Sequence, residues 1–298
     1  MRHATLRAGL TVLALLTLPA CSGDRAPGSE AAVSSGDPAA CPGEILDVVV
    51  SVGAWSDVVR RLGGDCATVT TIAPTGAAPA VTQADRAAFD AADLVVVNGA
   101  GYDGWASAAA DAAAGGPAVV SAAEAAGDGR RDPWFWNDPV AVPAVAEAVA
   151  AELGRLSPDA APYFGAQRTA WTTELQPWLE TVAALRADAG GRAFAATGGT
   201  FVRTAEAAGL TDRTPGPRTG PLPPGDVAAV EELLRGGALD VLVLDGDPLE
   251  GVTDRLREAA DEADVPVAEV RTAPAADAPF VEWQLDQLAE LAEALGQE

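Results

Sequence analysis

Residues 45–72 read ILDVVVSVGAWSDVVRRLGGDCATVTTI, and the order of periodicities in this stretch sets the fold class. Leu46–Val52 is a near-continuous apolar run between Gly43 and Gly53, the pattern of a strand covered on both faces. Trp55–Leu62 then spaces its apolar residues as a helix does, and Gly63-Gly64 stops it. Ala67–Ile72 returns to an extended, β-branched run. Strand, helix and strand in this order form a crossover unit joining two parallel strands.

The alternation continues outward. Gln83–Ala92 reads as a helix, Asp93–Asn98 as a strand, Ala106–Ala114 as a helix, Pro117–Ser121 as a short strand and Pro139–Leu156 as a helix. From Ser157 a helical pattern runs to about Ala189, with Ser157 a favourable cap and Pro158 suited to the first turn. Its apolar residues recur at Tyr163, Trp171, Leu175, Trp178, Val182 and Leu185, and Pro177 predicts a kink because it lacks a backbone donor. A second series follows: strand Arg192–Ala196, helix Phe201–Ala208, a Pro/Gly-rich loop over 215–224, helix Val227–Arg235, strand Asp240–Leu244, helix Leu249–Ala263, strand Val265–Val270 and helix Phe280–Leu295. The reading is an α/β protein of two lobes, 45–156 and 191–298, each a parallel sheet flanked by helices, joined by one long helix across 157–190.

The N-terminus carries a different message. Arg2 and Arg7 precede an apolar run from Ala8 to Leu18, and Leu18-Pro19-Ala20-Cys21 follows. This predicts a secretory signal over 1–20 that is too short to span a bilayer. Cysteine after small residues points to lipidation of Cys21, whose thiol takes a diacylglyceryl group. Two or more acyl chains give stable anchoring to the outer face of a membrane. Residues 21–44, small and polar, read as a lipidated flexible tether.

Composition narrows the partners. The chain has 43 acidic against 19 basic residues, a formal charge of −24; residues 1–20 hold two arginines and no acid, so their removal takes it to −26. Nucleic acid is excluded, since phosphate binding needs clustered basic residues. An anionic bilayer would repel the domain, so a lipid would do the anchoring. The charge favours solubility, and a monomer is expected. Cys41 and Cys66 each sit just before a strand, so parallel neighbouring strands would bring them to one sheet edge. In an exported chain this predicts a Cys41–Cys66 disulfide, the alternative being two free thiols.

Four segments, VVVSVGAWSDVVRRLGGDCATVTTI at 48–72, AADLVVVNGAGYDGWA at 91–106, DPWFWNDP at 132–139 and DAPFVEWQLDQLAELAEAL at 277–295, resemble in order and spacing the solute-binding lipoproteins of zinc and manganese ABC transporters. The resemblance implies two α/β lobes on a rigid helix, a divalent metal between them (manganese or zinc) and an ABC permease as partner. It also implies four ligand positions. The first falls in PTGAAPAVTQAD after the second strand, the second on Trp134, the third in Thr197–Thr200 and the fourth on Asp277. The only histidine is His3, inside the signal. Any metal would therefore rest on carboxylates and backbone oxygens, a set suited to manganese, calcium or magnesium rather than zinc. Asp138, Asp245, Asp247 and Asp277 are the acids expected near the cleft. Trp55, Trp134 and Trp136 are expected there too, as a plug or as a stacking platform for an organic solute.

No triad, lysine or phosphate loop is present, so an enzyme is not expected. The leading expectation is an extracytoplasmic solute-binding lipoprotein with a degenerate metal site. The alternatives are an accessory, signalling or adhesin-like lipoprotein on the same fold, or a binder of another small solute.

Overall fold

The computed structural model describes residues 32–34, 36, 40–73, 81–127, 129, 132–217, 219, 222–246, 251–275 and 278–296. Its first sheet is built from β1 (Ala32–Ser34), β2 (Leu46–Val52), β3 (Ala67–Ala73), β4 (Leu94–Val97) and β5 (Ala118–Ser121), in the order β1-β3-β2-β4-β5. Helices α1 (Ser56–Gly63), α2 (Gln83–Ala91), α3 (Gly104–Ala112), α4 (Ala122–Ala126) and α5 (Ala141–Leu156) are interleaved with these strands. The second sheet has the order β7-β6-β8-β9, from β6 (Ala193–Ala196), β7 (Thr211–Asp212), β8 (Val241–Asp245) and β9 (Val267–Val270). It carries α8 (Val202–Ala207), α9 (Pro224–Arg235), α10 (Val252–Glu262) and α11 (Phe280–Ala294).

The continuous apolar runs explain the layering. In β2, Val48, Val50 and Val52 pack on one face with α1 and α5, while Val49 packs on the other with Ile72, Phe89, Val95 and Ala106. In β8, Val241 and Val243 join the same large core as Val48 and Val50, while Leu242 and Leu244 face α9 and α10. The inner faces of both sheets thus feed one hydrophobic core that runs through the two lobes.

Two helices, α6 (Ala161–Glu174) and α7 (Gln176–Ala189), connect the lobes. The break falls at Leu175, two residues before Pro177, which occupies the first turn of α7 where its missing N–H costs nothing. Trp171 and Trp178, one on each side of the break, both lie edge-on to Phe280 of α11, at 5.8 and 5.9 Å between ring centroids.

Two features depart from the sequence reading. The stretch 21–44 was expected to be a flexible tether, yet Ala32–Ser34 pairs antiparallel with Val69–Thr71, so the first sheet is not wholly parallel. Three residues thus pair along the edge of β3. The Ser157 hydroxyl does not cap a helix. It accepts from Glu44 N at 3.1 Å and donates to Glu44 O at 3.2 Å, pinning the start of the domain to the base of α6. The connecting helix bends as Pro177 predicts, with the break at Leu175 dividing it into α6 and α7. The disulfide between Cys41 and Cys66 is present, with Cα atoms 4.9 Å apart, because β2 and β3 run parallel in the register Leu46 to Ala67.

Candidate functional site: the seam between the lobes

The site begins in the turn after β4. Gly99, Ala100 and Gly101 all have positive φ (79°, 51° and 80°), which reverses the chain tightly between β4 and α3. A side chain at 99 would also strike Ser121 Oγ. This reversal brings the fully buried Asp103 carboxylate back onto the strand end. It accepts from Asn98 N at 2.6 Å, Gly99 N at 2.8 Å and Ser51 Oγ at 2.5 Å. Asn98, fixed in this way, accepts from the Trp55 indole at 3.0 Å and donates to Pro133 O at 2.9 Å. The DPWFWNDP segment is thereby tied to the carboxyl ends of the first sheet, where ligands sit in open α/β folds.

Within that segment the aromatic rings turn on one another. Tyr102, Trp134 and Trp136 form a mutual edge-to-face triad with centroids 5.3–5.7 Å apart. Trp134 is 6% and Trp136 1% exposed, and the Trp136 indole N–H has no hydrogen-bond partner. Burial pushes the Tyr102 phenol above its usual range, and the neighbouring Asp103 charge adds to the shift.

The same segment clasps the second lobe. Asn137, fully buried, donates to Thr200 O at 2.8 Å and accepts from Gln284 Nε2 at 2.8 Å. Gln284 also donates to Trp136 O, and Thr204 Oγ1 donates to Asn137 O at 2.6 Å. Arg203 of α8 reaches across to Asp132 and Asp138. Asp138 further accepts from Val140 N and Ala141 N at the start of α5.

Comparison with known families now bears on this arrangement. Residues 48–294 match the profile of the family described as zinc-uptake complex component A, periplasmic. The chain belongs to this family. Its members are binding proteins, not enzymes. Comparison with curated sequences finds no significant match. Among solved structures, the solute-binding protein FpvC from Pseudomonas aeruginosa in complex with Mn2+ aligns at TM-score 0.71 and 18% identity, covering 84% of this chain and 98% of that one. A mutant of the laminin-binding adhesin of Streptococcus agalactiae gives 0.70 and 20%, covering 84% and 99%. A Mn-bound mutant of the periplasmic metal-binding protein of Candidatus Liberibacter asiaticus gives 0.70 and 16%, covering 83% and 98%. At these identities the likeness is one of fold.

The described residues of the seam do not form a donor set for a zinc or manganese ion. Trp134, expected at the second ligand position, is a packed ring. Thr197, at the third, lies 6% exposed beside a separate pocket of about 450 Å³ in the second lobe, shared with Gly246, Arg257 and Arg271. Asp138, expected as a cleft acid, is spent on Arg203 and the first turn of α5. Asp245 ends β8, with its side chain outside the described residues, as are Asp247, Asp277, Cys21 and residues 74–80 of the first ligand loop. Among the described residues, no group of three or more His, Cys, Asp or Glu side chains is placed to hold a metal. The structure brings Trp55, Trp134, Trp136 and Asp138 to one seam. Sequence reading missed Asp103, Asn98, Asn137, Arg203 and Gln284, whose roles depend on partners distant in the chain. The one local sign was the double acid of DPWFWNDP, flanking the aromatics.

Proposed function

We propose that this chain is an extracytoplasmic lipoprotein, anchored through Cys21, that keeps the two-lobed scaffold of the zinc-uptake family without its metal site. It works as a docking component of fixed shape for a membrane permease of the ABC type or for an accessory assembly at the cell surface. The observation that supports this reading is the Tyr102–Trp134–Trp136 triad, three packed rings that include the residue which the resemblance expects at a metal-ligand position. A metal ion needs several converging imidazole, thiolate or carboxylate donors. A buried indole supplies none, and moving it out would expose a large apolar surface.

Calorimetry on the domain beginning at residue 32, with zinc and manganese in turn, tests the reading. The expected result is no submicromolar site for either. Submicromolar binding at one site, abolished by Asp277→Ala, would overturn the proposal and restore ordinary metal delivery.

A further inference from the structure

Arg203 is a charged side chain almost sealed from water, 1% exposed, at the meeting of the two lobes. A guanidinium in such a place is costly unless its donors are met. Its Nε donates to Asp132 Oδ1 at 2.5 Å, Nη1 to Asp138 Oδ2 at 2.8 Å and Nη2 to Asp132 O at 3.1 Å. Its Cζ lies 4.4 Å from the centroid of the Phe135 ring. Two carboxylates, a carbonyl and an aromatic face are the parts from which guanidinium recognition is built. All of them belong to the 132–138 turn of the first lobe, while the cation arrives from α8 of the second.

We propose that the seam is a guanidinium-binding site occupied in cis by Arg203, which latches the lobes in one arrangement with no solute bound. The proposal rests on the reading of a seam without metal and goes further by naming the cation that fills it. The receiving turn is held independently of Arg203. Asn98 donates to Pro133 O, Asn137 donates to Thr200 O, and Asp138 accepts from the first amides of α5. Removing the guanidinium should therefore leave its receptor standing. Lysine cannot replace it, because an ammonium is a point charge without the planar fork that faces two carboxylates and a ring together.

The test uses Arg203→Ala and Arg203→Lys in the exported domain, melted with ethylguanidinium, the fragment that the Ala variant lacks. Ethylammonium and sodium at equal ionic strength are the controls. Breaking a buried pair at one partner should lower the melting temperature of Arg203→Ala by about 6–20 °C. Ethylguanidinium should then raise it with the logarithm of its concentration, as a ligand of the folded state does, with no such rise in wild type or from the controls. Arg203→Lys should melt well below wild type. A variant melting within about 1 °C of wild type, or recovery no greater than with ethylammonium, would overturn the proposal. Should Arg203→Ala not fold, Asp138→Asn is read instead. Hydrogen exchange at 197–204 should then rise at least tenfold, and unchanged protection there would refute the latch. Zinc calorimetry on wild type separates the two readings, since zinc binding would sink the proposed function and leave the ethylguanidinium result intact.

Discussion

Replacing Asn137 with Ala should weaken the whole protein and not one lobe alone. Asn137 is fully buried in the 132–138 turn, and both partners of its side chain lie in the second lobe. The substitution leaves Thr200 O without its donor and takes from Gln284 Nε2 one of two acceptors, the other being Trp136 O. A buried carbonyl left unpaired costs about 1–3 kcal/mol and the lost second bond about 1 kcal/mol more, so the expected loss is about 2–4 kcal/mol. For a domain of this size that corresponds to about 4–16 °C in melting temperature. Urea unfolding followed by circular dichroism and by tryptophan fluorescence is the assay. Because one core runs through both sheets, the two signals should fall together in a single transition with an unchanged slope. A loss below about 0.5 kcal/mol, the level of an ordinary surface substitution, would refute the clasp. Separate transitions for the two signals would refute the shared core. Combining the change with Gln284→Leu should give a loss smaller than the sum of the two, since both substitutions break the same bond.

Three further outcomes are expected. Converting Cys41 and Cys66 together to Ser should cost on the order of 3 kcal/mol in urea unfolding, because the bond closes a 25-residue separation; no change would mean that β1 and β3 hold that edge alone. Tyr102 has a raised pKa in the folded state, so its neutral form contributes stability that is fully present below pH 10 and lost as pH rises through the folded value. In Tyr163→Phe, where Tyr102 is the sole tyrosine, tyrosinate absorbance should appear only above pH 10, and titration at or below 10 would show that the ring is not buried in the triad. Replacing Cys21 with Ser should move the protein from the membrane to the soluble fraction, and unchanged attachment would remove the lipid anchor from the proposal.

How much of this was legible in the sequence depends on the range of the interactions involved. The parallel sheets were legible because a strand covered on both faces needs an unbroken apolar run, as in Leu46–Val52 and Val241–Leu244, and such a run is a local property. The break near Pro177 was legible because proline cannot donate the bond that would continue one helix through it, so it starts a new one, and the Cys41–Cys66 bond because two cysteines precede neighbouring parallel strands. The strand at Ala32–Ser34 was not legible, because its three residues carry no strand pattern of their own in the sequence and pair with β3, distant in the chain. The seam was legible only in part. That His3 is the only histidine stands in the sequence, but the packing of Trp134 with Tyr102 and Trp136 does not. Arg203, Asn137, Asp132, Asp138 and Gln284 are spread from 132 to 284, and each is an ordinary polar residue by local pattern. A buried charge or amide acquires its role from the partners that satisfy it, and only the folding of two lobes onto one core brings those partners within hydrogen-bond reach.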